Sequence, residues 1–146
     1  LHANINQYTK SGSAPIKAAA RGENTIGVAF LHGVVKQAVS GFPVDGVAPC
    51  EGTGYEIGSM SIIDGARNVD EAKMFYDWAL SAKAQSEAWK VKSFQVPSNV
   101  SAESSPLAPD PASINLIDYD FKLYGSSAER KRLLKKWDDE VSVLPQ

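Results

Sequence analysis

NTIGVAFLHGVVKQAVSGFPVDGVAP, residues 24–49, is the stretch whose reading decides the fold class. Its first seven residues, NTIGVAF, combine β-branched side chains with a continuous apolar run, as expected of a central strand covered on both faces. LHGVVKQAVSG then reads as a helix ending near Gly41, and FPVDGVAP reads as a further strand ended by Pro43 and Pro49. Strand, helix and strand in succession predict an α/β architecture with a partly parallel sheet.

Upstream, ANINQYT (3–9) alternates loosely at Ile5, Gln7 and Tyr8 and is expected to be a short strand. SGSAPIKAAARG follows as a helix. Ser11 or Ser13 supplies the cap, Pro15 is tolerated in the first turn, the alanines favour helix, and Gly22 suits the stop. Downstream, IGSMSII (57–63) is expected to be a strand. Asn68 and Glu71 form a capping-box pattern ahead of Val69, Ala72, Phe75, Tyr76, Ala79 and Leu80 at helical spacing. Ser81 caps a second helix through about Val91. NVSAESSPLAPDPAS (99–113) reads as a surface excursion. A last helix starts at Ser126 or Ser127, with Glu129 as box partner and Leu133, Leu134, Trp137 and Val141 as its apolar stripe.

At 146 residues and 43% hydrophobic content the chain has the size of one domain and the means to build a core. Its formal net charge of -2 gives no basic field. Arg130, Lys131, Arg132, Lys135 and Lys136 form the one cluster, which reads as the solvated face of the last helix, so nucleic acid is not an expected partner. The single cysteine, Cys50, has no partner for a disulfide within the chain and is expected to be a small buried apolar side chain. No apolar stretch approaches the roughly 20 residues of a membrane-spanning helix. LHANINQYTK lacks a signal-peptide core, but a chain that starts at Leu1 reads as a processed or cut-out piece, for which a missing signal carries no information.

Ligands of open α/β sheets bind where loops and helix N-termini converge beyond strand ends. YTKSGSAP places Ser11, Gly12 and Ser13 at a helix start, where free N–H groups favour phosphate or carboxylate. His32 follows the strand end at Phe30, and Gly33 lets backbone approach a ligand; a lone histidine there is more often structural. In EGTGYEIG (51–58), Thr53, Gly54 and Tyr55 offer backbone and hydroxyl donors, while Glu56 offers an acceptor for hydroxyls or an amine. The competing reading makes the glutamates surface residues beside a turn and packs Tyr55 on the core. Catalysis has less support. Glu51 and Glu56 fix no glycosidase distance through two intervening glycines, and nucleophile-elbow, zinc-protease and P-loop signatures are absent. Two histidines and one cysteine form no zinc pattern, and no cofactor is implied.

NINQYTKSGSAP, ARGENTIGVAFLHG, the run from VAPCEGTGYEIG through DGARNVDEAK to SEAW, and QVPSN together resemble the second half of an extracytoplasmic solute-binding protein of ABC transporters. The narrower resemblance is to the ferric-iron, 2-aminoethylphosphonate and hexose-phosphate binding group, over nearly the whole chain. It implies a type II periplasmic-binding-protein-like α/β fold in which two lobes close on a ligand, with the first lobe absent here. Residues 1–53 would then belong to the C-terminal lobe, 54–98 would cross toward the N-terminal lobe, and 99–146 would return as loop and final helix. Iron binders of the group carry adjacent tyrosines where Leu31, His32 and Gly33 stand, which argues against iron. Sugar-phosphate binders carry a histidine at His32 and a glutamate at Glu56, but an acidic residue in place of Gly33; its loss removes a hydroxyl acceptor and argues against a hexose phosphate.

The resemblance therefore implies a periplasmic or lipid-anchored, non-enzymatic binder of a small organic phosphate, phosphonate or related anion. Its partners would be membrane permease and ATPase subunits, and it would meet the membrane only through them or through an anchor. Ferric-iron binding, ligand sensing for a membrane kinase and, last, a carboxylate-based hydrolase are the alternatives.

Overall fold

The structure, a computed structural model, describes residues 1–145; Gln146, the last residue of the expected 99–146 segment, lies outside the described residues. Helices dominate: α1 Ala14–Ala20, α2 Leu31–Val39, α3 Val69–Leu80, α4 Ala82–Ser86, α5 Phe121–Tyr124 and α6 Ser127–Lys136. Short 3-10 turns occupy His2–Asn4, Ala88–Val91 and Pro111–Ser113, and a π turn at Trp137–Val141 extends α6.

The helix boundaries follow local chemistry. Pro15 sits in the first turn of α1, where its missing N–H costs nothing. Beyond its end, Gly22 at φ +74° donates to Ala19 O (3.0 Å) and Glu23 N donates to Ala18 O (2.9 Å). The same pair of reversed bonds closes α2, from Gly41 to Ala38 O (2.9 Å) and from Phe42 to Gln37 O (3.2 Å). Glycine with a positive φ lets these orphan carbonyls find donors. Ser81 Oγ accepts from Ala84 N (3.2 Å) and Ser126 Oγ from Glu129 N (3.1 Å), as their cap patterns predict. Three cap details differ. Ser13 stands at the cap position of α1 but makes no side-chain cap bond, its hydroxyl lying against that of Ser11 instead. Asn68 precedes α3 but makes no side-chain cap bond, and the Glu129 carboxylate is held by Arg132 (2.6 and 2.8 Å) rather than reaching back to close a box.

The expected strands are not realised as strands. Residues 3–9 begin with a 3-10 turn, while 26–30, 42–49 and 54–63 carry no helix and form no ladder, and within 42–49 Val44 N donates to Phe42 O (2.9 Å) in a tight three-residue turn. One parallel bridge, Thr53 to Leu116, is the whole of the β pairing among the described residues. An apolar run predicts a strand's geometry, yet a strand also needs a neighbour to take its N–H and C=O groups. The 24–30 segment is covered on one face only. Gly27 and Ala29 turn toward α1, whereas Ile26 is 81% and Val28 71% exposed.

The buried core is correspondingly small: Ile16, Ala20 and Phe94, with Ser105. The accessible surface is 11442 Å², about 1.6 times the roughly 7,300 Å² of a compact 15.7 kDa monomer. Cys50 is exposed, not buried as expected; its Sγ donates to Glu51 Oε2 at 3.4 Å. In the last helix Trp137 packs edge-on against His2 and Tyr8, while Leu133 and Leu134 of the expected stripe stay exposed.

Candidate ligand-binding site

A recess of about 220 Å³ is lined by Gly12, Ser13, Ile16, Phe30, His32 and Gly33. Two helix starts meet there. The turn before α1 supplies Gly12 and Ser13, and the straight segment 26–30 delivers Phe30 to the cap position of α2, so that His32 and Gly33 lie in its first turn. What brings the two together is a close approach of backbone to backbone. A Cβ on Gly27 would lie 2.6 Å from Pro15 O and 2.9 Å from Pro15 C, so only glycine lets the segment cross the start of α1 at this distance.

Hydroxyls and unpaired donors mark the recess floor. Ser11 Oγ and Ser13 Oγ are 3.2 Å apart. Ser11 O accepts from Thr9 Oγ1 (2.9 Å) and Ala14 N (3.1 Å), which holds the turn in shape. Among the described residues the N–H groups of Gly12 and Ser13 have no acceptor, an arrangement that suits an anion. Across the recess the His32 imidazole stacks on Phe30, centroids 5.5 Å apart and planes 16° from parallel. Partial burial pushes the His32 pKa below its ordinary value, and the Lys36 charge pushes the same way. Both effects favour the neutral ring, which has one nitrogen to donate and one to accept.

Thr53, Tyr55 and Glu56 are not part of this lining. Thr53 spends its backbone on the bridge, donating to Asn115 O (2.8 Å) and accepting from Ile117 N (3.1 Å), and its hydroxyl donates to Gly54 O at 3.4 Å. Tyr55 joins an aromatic cluster, edge-on to Tyr119 (6.5 Å) and Phe121 (5.9 Å). Glu56 is exposed. Glu51 accepts its own backbone N–H and the Cys50 thiol, which hold its pKa below the usual carboxylate value. The structure thus joins Gly12 and Ser13, with Ser11 behind them, to His32 and Gly33, and leaves the 53–56 group apart.

No protein-family model matches the chain. Over 98% of its length the chain is 53% identical to an uncharacterized protein of Haemophilus influenzae, of which it covers 42%. Among solved structures it superposes on the periplasmic binding protein AfuA from Actinobacillus pleuropneumoniae, with exogenous fructose-6-phosphate bound, at a TM-score of 0.91 and 54% identity. That match covers 99% of this chain and 46% of AfuA. The chain has the fold of one half of a periplasmic binding protein. A second such protein, P5PA, matches at a TM-score of 0.85 and 39% identity, over 97% of this chain and 45% of that one. The chain thus spans a little under half the length of the proteins it matches. The periplasmic-binding-protein trace is kept even where its strands lack neighbours, so the α/β class holds while the sheet itself is not assembled.

Sequence reasoning missed Phe30 as a wall of the recess and Tyr119 and Phe121 as neighbours of Tyr55. Phe30 lay in plain view as the last residue of an apolar run, but no spacing rule tells a strand-end aromatic that packs from one that lines a pocket. Asn115, which donates to Cys50 O at 2.9 Å across 65 residues of sequence, had no local signal at all.

Proposed function

We propose that this chain is the ligand-contacting half of a periplasmic solute-binding protein that captures a small organic phosphate or phosphonate for an ABC importer. One observation carries the reading: the recess brings the unpaired N–H groups of Gly12 and Ser13 and the Ser13 hydroxyl, with that of Ser11 behind it, together with the His32 ring. The anionic group sits on the Ser11–Ser13 turn, where charge-assisted hydrogen bonds are the strong kind. His32 contacts the rest of the molecule, and Gly33 keeps the approach open. Tyr55 and Glu56 act from the crossing segment, with Thr53 just before it, when a second lobe closes over the ligand. AfuA, 54% identical, holds fructose-6-phosphate, which supports a phosphate ester as the ligand class.

In this reading residues 1–53 and 99–146 form one lobe and 54–98 crosses to the other. The Thr53–Leu116 bridge, the Asn115 bond to Cys50 and the packing of His2 and Tyr8 on Trp137 support the first pairing. No bond is made or broken in the ligand. Closure selects the bound state, and permease and ATPase subunits supply transport.

The test is calorimetry on a protein of the relatives' full length carrying these residues. Fructose 6-phosphate, 2-aminoethylphosphonate, unphosphorylated fructose and ferric ion serve as titrants. A phosphate ester or phosphonate should bind and fructose should not. Ser13→Ala and His32→Ala should each weaken binding by about tenfold or more. Binding of ferric ion with no response to any phosphorus compound would overturn the proposal.

A further inference from the structure

The turn that carries Ser11, Gly12 and Ser13 has no buried anchor of its own. Every residue from Asn6 to Ser13 is exposed, and the bonds from Thr9 Oγ1 and Ala14 N to Ser11 O fix the turn's shape but not its place. Downstream it runs into α1, whose Ile16 is buried. Upstream the nearest side chain packed on another element is Tyr8. Its ring meets Trp137 edge-on, centroids 5.0 Å apart, and stacks on His2 at 5.7 Å. Hydrogen bonds run through the same clasp. Leu144 O can only accept, so His2 Nε2 carries a proton and donates to it (3.0 Å), which leaves Nδ1 of the neutral ring to accept from the Tyr8 hydroxyl (2.9 Å). Trp137 itself is half-buried and opens the π turn, where Ser142 N donates to Trp137 O at 2.8 Å. Such a local widening of a helix often marks a functional position.

We infer that Trp137 and Tyr8 are positioning residues for the Ser11–Ser13 turn: the end of the last helix holds the upstream side of the anion site through the Tyr8 ring, although neither side chain lines the recess. The inference rests on the reading of the recess as an anion site. Two backbone donors on an exposed turn grip an anion well only if their directions are fixed beforehand, because a turn that must be ordered on binding loses affinity to its own ordering. The helix α1 fixes one end. Tyr8 stands three residues before Ser11, too close for the chain between them to absorb a displaced ring without moving the turn. Asn6 adds a second tether, its Nδ2 donating to Asn24 Oδ1 at 2.9 Å, but that exposed amide pair brings no apolar packing. The aromatic clasp is therefore the stronger hold.

NMR relaxation and calorimetry on a protein of the relatives' full length carrying these residues test the inference. In the ligand-free protein Trp137→Leu and Tyr8→Ala should each lower the order of the Gly12 and Ser13 amides and leave that of Val35 in α2 unchanged. Tyr8 is 48% exposed, so its truncation opens no core. The phosphorus titrant that binds the parent, fructose 6-phosphate or 2-aminoethylphosphonate, should bind each variant about fivefold more weakly. Tyr8→Phe keeps the ring on Trp137 and gives up only an exposed hydrogen bond, so both readouts should return to near the parent's. A double-mutant cycle separates positioning from general loosening: if Trp137 acts through the turn, the losses from Trp137→Leu and Ser13→Ala should not multiply. Unchanged amide order in Trp137→Leu and Tyr8→Ala, a Tyr8→Phe variant as damaged as Tyr8→Ala, or losses that multiply in the cycle would each overturn the inference. A parent protein that binds neither titrant would defeat the reading of the recess, and the ligand-free amide order would still decide the clasp.

Discussion

Replacing Gly27 by alanine should be among the most damaging single-methyl changes in this chain. The added Cβ would lie 2.6 Å from Pro15 O and 3.4 Å from Ile16 N. The first separation is roughly an ångström inside ordinary van der Waals contact. Both neighbours are backbone, and proline's fixed φ denies that side a local adjustment. The segment 26–30 must therefore lift from α1, taking Phe30 with it and loosening the wall of the recess. Overpacking of this kind costs about 1–3 kcal/mol. Gly33→Ala is the matched control. Its Cβ would meet Ile16 Cγ2 at 3.5 Å, an ordinary contact, and alanine inside a helix gains up to about 1 kcal/mol over glycine. Urea unfolding followed by far-UV circular dichroism, compared at a common m-value, should move the two midpoints in opposite directions. A Gly27→Ala midpoint equal to or above that of the parent chain would show that 26–30 is not seated on Pro15 and would remove the argument for how the recess is built.

Three further outcomes are expected. His32 should titrate by NMR with a midpoint below 6.5, because burial and then Lys36 disfavour its charged form; Lys36→Gln should raise the midpoint and a bound phosphate ester should raise it further. Since the folded value is depressed, the contribution to stability is full above the unfolded value near 6.5 and is lost as pH falls through the folded one, so a chain that gained stability on acidification through this window would contradict the assignment. Ser81→Ala should cost about 1 kcal/mol by deleting the bond to Ala84 N, whereas Asn68→Ala, whose side chain makes no cap bond, should stay within about 0.5 kcal/mol in the same unfolding assay. Phe75→Glu together with Trp78→Glu should reduce self-association of the isolated chain in sedimentation velocity, because these rings stand 60% and 57% exposed on α3; unchanged association would place the sticky surface elsewhere.

Legibility differed by element for physical reasons. Helix ends were readable because their determinants are local: Pro15, Gly22, Gly41, Ser81 and Ser126 each act within one turn. Strand existence was not, because the apolar runs at 24–30 and 57–63 encode a geometry that is completed only by a neighbour. For the same reason Cys50 was misplaced. Burial of a small side chain depends on what lies over it, and here nothing in the described chain does. Half of the candidate site was legible. Ser11, Gly12 and Ser13 announce a helix start, and His32 and Gly33 sit one residue past a strand-like run. Their meeting across Gly27 and Pro15 is tertiary, and no sequence interval reveals it.

The helix α3 shows why the site and the missing contacts belong to one problem. It turns Ala72, Tyr76 and Ala79 inward, with Tyr76 OH donating to Met60 O at 3.4 Å, and sends Met74, Phe75 and Trp78 outward. A helix with apolar residues on two faces is built to be packed on both. The straight segment 54–63 lies just upstream of that helix, with Ile57 66% and Ile63 78% exposed, and it is this weakly supported segment that carries Tyr55 and Glu56. The Ser11–Ser13 and His32 recess, by contrast, rests on α1 and α2, where Ile16 and Ala20 are buried. The two groups of candidate residues therefore differ in what holds them: the first rests on α1 and α2, whereas in the second Thr53 is fixed by its bridge, Tyr55 leans on Tyr119 and Phe121, and Glu56 stands exposed. Anion recognition should survive in weakened form in the isolated chain, whereas discrimination among organic groups should emerge only in the assembled protein.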